Sequence, residues 1–142
     1  MEYKTLPNSE LELMIILWKA GRPLTRTEIE EKLPEGRNIS KTTILSFLSR
    51  LEEKGFVKIK KEGRNNCYIP LVEEKDYLEQ ESSSILKKLY DNSVRKFVAC
   101  LYDGKELSKE QINELKDTFN TFIKKPSIHF SPFLLKFYYM FL

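Results

Sequence analysis

Apolar and polar positions along this chain change period, and each change marks an element. Leu11, Met14, Ile15 and Trp18 recur at i, i+3, i+4 and i+7, the spacing of one buried helix face, and Gly21 with Pro23 end that stretch. Ser9-Glu10-Leu11-Glu12 at its start and Thr25-Arg26-Thr27-Glu28 beyond it both fit the capping box, in which hydroxyl and carboxylate satisfy the free backbone donors of a helix start. The second box predicts a short helix with Ile29 and Leu33 as its stripe, stopped by Pro34 and Gly36. A third helix of about 14 residues opens at Ser40, turns Ile44, Phe47, Leu48 and Leu51 inward, and closes at Gly55, where a left-handed residue is expected. Its other side carries Lys41, Thr42, Leu45, Ser46, Ser49 and Arg50.

The period then drops to two. Val57 and Ile59 alternate with Lys58 and Lys60, Gly63-Arg64-Asn65-Asn66 interrupts, and Cys67, Ile69 and Leu71 alternate again, which predicts a β-hairpin with a basic tip. From Glu73 onward only helical patterns follow, over roughly 74–90, 93–102 and 108–124. Val94, Phe97, Val98 and Leu101 share one face of the second of these. Ser108-Lys109-Glu110-Gln111 is a further capping box, followed by Ile112, Leu115, Phe119 and Phe122. Such helices are too few and too narrowly apolar to build an independent core, and stripes of this kind usually bury against a symmetry mate. The expected fold is mainly α with a small β-hairpin. Residues 1–72 form a winged helix-turn-helix, residues 73–125 a helical dimerisation module, and residues 126–142 an atypical aromatic tail. At 17 residues, with His129 and Lys136 inside it, that tail is shorter than the roughly 20 apolar residues a membrane span needs.

Composition narrows the function more than the fold. Hydrophobic residues at 41% and charged residues at 32% describe an ordinary globular chain. No early stretch has the layout of a secretory signal, so a cytoplasmic location is expected. Net charge is only +3, yet residues 37–64 carry eight cations against three acids while residues 73–125 hold ten against eleven. The positive charge therefore gathers on the third helix and the hairpin. The single histidine, His129, lies in the tail, which leaves no Ser-His, Cys-His or multi-histidine constellation for catalysis. Cys67 and Cys100 stand far apart without a metal-ligand spacing, and no glycine-rich phosphate loop occurs. No enzyme, no metal, no cofactor and no small-molecule substrate are expected.

The arrangement suits double-stranded DNA. Lys41, Lys58, Lys60, Lys61 and Arg64 are candidates for phosphates, whose neutralisation releases condensed counterions. Thr42, Thr43, Ser46 and Ser49 are small enough to let the third helix enter the major groove and bond base edges or phosphates, and Leu45 suits a thymine methyl. Arg50 completes the set, with pairing to Glu53 at i+3 as its structural alternative. Lys58 and Lys60 as the wet face of an edge hairpin, and Thr42 and Thr43 as first-turn residues, are the plainer readings beside the functional one. Leu78, Ile85, Leu89, Val94, Phe97, Val98, Leu101, Ile112, Leu115 and Phe119 are the candidate dimer-forming side chains. The competing function is a winged helix used as a protein-interaction module without DNA binding.

Glu10-Leu11-Glu12-Leu13-Met14-Ile15-Ile16-Leu17-Trp18, Ser40 through Arg50-Leu51, Lys54-Gly55-Phe56, Lys61-Glu62-Gly63-Arg64 and Tyr68-Ile69-Pro70-Leu71-Val72 occur in one order. Lys88-Leu89-Tyr90, Glu106-Leu107-Ser108 and Asn113-Glu114-Leu115 continue it, and the collinear set over about residues 6–124 resembles the BlaI/MecI penicillinase-repressor family. The resemblance implies a homodimeric repressor that binds a palindromic operator through its third helix and wing, controlling β-lactam resistance or related genes. It also implies relief of repression when a membrane sensor-protease system leads to a cut within the dimerisation helices. The pair aligned with the Asn-Phe bond of staphylococcal members is Cys100-Leu101 here. Where the family commonly opens its recognition helix Trp-Ser-Pro-Lys-Thr, this chain reads Ile39-Ser40-Lys41-Thr42-Thr43.

Overall fold

The computed structural model describes residues 2–124. Contacts divide the chain into two units, Met1–Asn92 and a second that begins at Ser93. The division falls after Asn92 rather than after residue 72, because the first helix past the hairpin packs into the core of the first unit. The aromatic tail expected over 126–142 lies outside the described residues.

The first unit runs α1 (Asn8–Ala20), β1 (Leu24–Thr25), α2 (Arg26–Glu31), α3 (Lys41–Glu53), β2 (Val57–Glu62), β3 (Asn65–Pro70) and α4 (Glu74–Tyr90). The hairpin gains a strand that period-two reading did not show: β1 pairs antiparallel with β3, giving the order β1-β3-β2. Two residues are too short for an alternation to register, so only pairing reveals β1.

Local chemistry explains most element ends. Thr25 and Glu28 form the reciprocal capping box expected for α2, and the Ser40 hydroxyl accepts the Thr43 N–H at the start of α3. At the other end of α3, Gly55 takes φ +78°, its N–H donates to Glu52 O and the Phe56 N–H donates to Leu51 O. That Schellman pair satisfies two otherwise open carbonyls and needs a left-handed residue, which glycine adopts without a Cβ penalty.

Three expectations are corrected. No side chain caps α1: the helix begins at Asn8, and the N–H groups of Glu10 and Leu11 donate to Pro7 O. Glu12, expected to close the box on Ser9, instead bonds Arg37, and Glu10 is buried and ion-paired with Lys54. The core face of α1 is Leu13, Met14, Ile16 and Leu17, with Leu11, Ile15 and Trp18 only partly covered. In α2 the stripe is cut short, since Leu33 falls beyond the helix and is half-buried.

The hairpin correction concerns phase. Ile59 faces Tyr68 and Val57 faces Pro70, so Tyr68 is the core residue of β3, while Cys67 opposes Lys60 on the other sheet face. Leu71 is exposed, against its expected inward place. Both parities of Cys67 to Leu71 carry apolar residues, so the one-residue shift was invisible until Val57, Ile59 and Leu24 fixed the inner face. Strand β3 also begins at Asn65, which leaves a two-residue turn, Gly63-Arg64, with φ +61° at Gly63.

The core gathers Leu13, Met14, Leu17, Leu24, Ile29, Ile44, Leu48, Leu51 and Phe56 without exposure, each aliphatic side chain contributing about 1.5–3 kcal/mol on burial. Tyr77 joins α4 to it, stacking edge-on against Phe56 with ring centroids 5.7 Å apart and lying 5.7 Å from Trp18. The N-terminal arm fastens α4 from outside. The Tyr3 N–H donates to Gln80 Oε1 at 2.7 Å, the Gln80 amide returns a bond to Tyr3 O, the Thr5 hydroxyl donates to Glu81, and the Leu6 N–H donates to the Tyr77 hydroxyl.

The second unit contains α5 (Val94–Asp103) and α6 (Lys109–Lys124). Ser93 caps α5 by accepting the Lys96 N–H, and Ser108 with Gln111 forms the expected reciprocal box ahead of α6. Neither helix has a buried residue.

Candidate nucleic-acid interface

Helix α3 splits cleanly into two faces. Ile44, Leu48 and Leu51 are fully buried with Phe47 partly so, whereas Lys41, Thr42, Leu45, Ser46, Ser49 and Arg50 are exposed. This is the helical period at work: one stripe holds the helix to the core and frees the other. Thr43 stands between, half-buried, with its hydroxyl 2.7 Å from that of Ser40 and therefore engaged at the cap.

The hairpin presents its own cations. Lys58 and Lys60 are exposed on the sheet face opposite the core, Lys61 is exposed near the tip, and Arg64 occupies the turn. Among the described residues none of Lys41, Arg50, Lys58, Lys60, Lys61 and Arg64 forms an ion pair, and the alternative bond from Arg50 to Glu53 is not made. Their charge is left facing solvent, while the ion pairs nearby use other cations, Arg22, Arg26, Arg37 and Lys54.

Between helix and hairpin lies a cleft of about 270 Å³ lined by Thr25, Arg26, Thr27, Lys41, Leu45, Arg64, Asn65, Asn66 and Tyr68. It brings the start of α3 and the hairpin turn together, the juxtaposition on which the sequence reading depended. Arg26, Thr27, Asn65, Asn66 and Tyr68 were not among the sequence candidates. Arg26 and Thr27 looked like capping-box filler, and the two asparagines like turn residues, and no spacing rule links position 26 to position 64. Burial pushes the Tyr68 phenol above its usual range, Glu52 adds to that, and Arg26 opposes it. Beneath the lysine face, burial raises the Cys67 thiol first and its bond to Glu62 raises it further.

The candidate dimer residues sit on other surfaces. Leu78, Ile85 and Leu89 are exposed along α4. In the second unit Val94, Phe97 and Phe119 are exposed and Val98, Leu101, Ile112 and Leu115 are half-buried; Val98, Ile112, Leu115 and Phe119 line an apolar groove of about 500 Å³ between α5 and α6. Cys100 is exposed and Leu101 half-covered in α5. Among the described residues there is no cluster of three His, Cys, Asp or Glu side chains placed to hold a metal, and no helix is long and apolar enough to cross a membrane.

A recognition helix exposed beside a basic wing, on a three-helix and three-strand frame, defines a winged helix-turn-helix of the DNA-binding class. A family model described as penicillinase repressor matches residues 6–121. The chain is 34% identical over 110 residues to the penicillinase repressor of Bacillus licheniformis, covering 78% of this chain and 85% of that protein. It is 31% identical over 122 residues to the methicillin resistance regulatory protein MecI of Mammaliicoccus sciuri, covering 84% and 98%. Among solved structures, the monomeric form of Bacillus licheniformis BlaI in complex with the blaP half-operator is 33% identical, covers 54% of this chain and 92% of that chain, and superposes with a TM-score of 0.45. The chain belongs to the penicillinase repressor family, whose members are DNA-binding transcriptional repressors and not enzymes.

Proposed function

We propose that this protein is a cytoplasmic repressor that binds a palindromic operator as a homodimer and controls β-lactam resistance or related genes. Thr42, Leu45, Ser46 and Ser49 read base edges in the major groove, with Thr43 and Arg50 at the margin of that face. Lys41, Lys58, Lys60, Lys61 and Arg64 hold the phosphates on either side. The dimer closes through the exposed apolar stripes of α4, α5 and α6, each too narrow to build a core within one copy and able to bury against a second. A cut at or beside Cys100-Leu101, made downstream of a membrane sensor-protease system, would split α5 and dissolve that interface.

The observation that carries this reading is the uncompensated cationic surface shared by α3 and the hairpin, joined across one cleft. Steered by such a surface, binding to duplex DNA falls steeply with salt. The test is titration of a mixed-sequence duplex at two salt concentrations, followed by selection of bound fragments from the source genome. Charge reversal at Lys60 or Arg64 weakens binding to every sequence, whereas Ser46→Ala or Leu45→Ala alters which sequence is preferred. Salt-insensitive binding with all four variants unchanged refutes the proposal.

A further inference from the structure

Arg26 is the one cation of the cleft to which the operator reading gives no task. It comes from α2, Lys41 from α3 and Arg64 from the hairpin turn, so three separate elements each direct one positive side chain to a single cleft. No carboxylate lines that cleft, and its remaining polar lining is hydroxyl and amide from Thr25, Thr27, Asn65 and Asn66. A tetrahedral dianion or monoanion is what such a lining suits, because donors approach it from several sides and no lining carboxylate repels it.

From this convergence we infer that Arg26, Lys41 and Arg64 close on the same backbone phosphate of bound duplex DNA, clamping α2, α3 and the hairpin to one point of the strand. The inference rests on the operator-binding proposal and adds a residue and a shared ligand to it. Arg26 is prepared for the task. Its guanidinium bonds Glu30, one turn along α2, and the Thr27 hydroxyl at 3.1 Å, which fixes the fork while leaving other N–H donors of its five free to turn outward. Its side chain is 20% exposed, so it reaches the cleft without being freely mobile in solvent. Its opposition to the rise of the Tyr68 phenol places its charge beside another lining residue.

The experiment uses the full chain, a mixed-sequence duplex and fluorescence anisotropy between about 50 and 200 mM salt. Arg26→Gln and Arg64→Gln each weaken binding to all sequences and flatten the salt dependence, by up to about 0.9 in the log–log slope for each protein copy bound. The double variant loses clearly less than the product of the two single losses, because both substitutions act on the hold of one shared phosphate. Arg26→Lys keeps the charge without the fork and retains the larger part of the affinity, and it replaces Arg26→Gln in the cycle if the latter is not folded by circular dichroism. Should Arg64→Gln weaken binding while neither Arg26 variant does, the clamp is overturned and the operator reading stands. Losses that multiply independently place the two arginines on separate phosphates and also overturn it. If none of the variants weakens binding, the operator reading itself falls.

Discussion

Replacing Lys54 by methionine tests how α3 is held to the domain. Lys54 ends α3 and pairs with Glu10 of α1, whose side chain is 2% exposed against 22% for the lysine. Lys54→Met keeps the aliphatic stem and strands a carboxylate in the interior with its charge uncompensated. Breaking a fully buried pair in this way costs about 3–5 kcal/mol, and the partial access of water to the lysine end lowers that to about 2–3 kcal/mol here. For a unit of this size each kcal/mol moves the midpoint by about 4–8 °C, so a fall in Tm of about 8–24 °C is expected. Trp18, the only tryptophan, packs against Tyr77 and reports unfolding of the first unit by its fluorescence in a urea titration. Glu10→Met on the Lys54→Met background removes the stranded charge and restores most of the stability, since well-packed apolar pairs replace buried ion pairs at little cost. A loss below about 0.5 kcal/mol for Lys54→Met, or a double variant less stable than it, would refute desolvation of Glu10 as the reason this contact matters.

Smaller perturbations follow from the helix ends and the thiols. Thr25→Ala removes the cap of α2 and lowers stability by about 1 kcal/mol, measured by the same urea midpoint. The Thr25 N–H holds the Glu28 carboxyl below its ordinary range, with Arg22 contributing, so its support is present above the usual carboxylate pKa and is lost as pH falls through the lowered one; in Glu28→Gln, which removes the titrating group, the acid limb of a stability-versus-pH curve becomes shallower. Gly55→Ala meets no neighbouring atom, yet a φ of +78° costs an alanine about 1–2 kcal/mol, and a neutral result there would contradict the left-handed C-terminal turn. Under native conditions a thiol reagent labels Cys100 quickly, whereas Cys67 reacts only on unfolding; mass spectrometry of timed samples separates the two.

Features set by neighbours in sequence were legible before any fold was seen. The Thr25 box, the Ser40 cap, the glycine after α3 and the Ser108 box depend on residues within a few positions of each other, and all formed as read. What depends on distant partners was not. Glu12 resembled the capping-box acid because its true partner, Arg37, lies 25 residues on, and Tyr68 looked like an outward residue until Ile59 and Leu24 were set against it. The candidate interface divides the same way. The exposed face of α3 and the hairpin lysines follow from periodicity, while Arg26, Asn65 and Asn66 become neighbours only through the packing of α2, α3 and the sheet.

The tie between the first residues of the chain and α4 bears on how the protein can be handled. Residues 3 to 6 supply backbone groups to Gln80 and Tyr77, so the leading end is stitched into the tertiary structure and does not trail from it. Truncation past Tyr3 would slacken the seat of α4 without touching the exposed face of α3 or the hairpin.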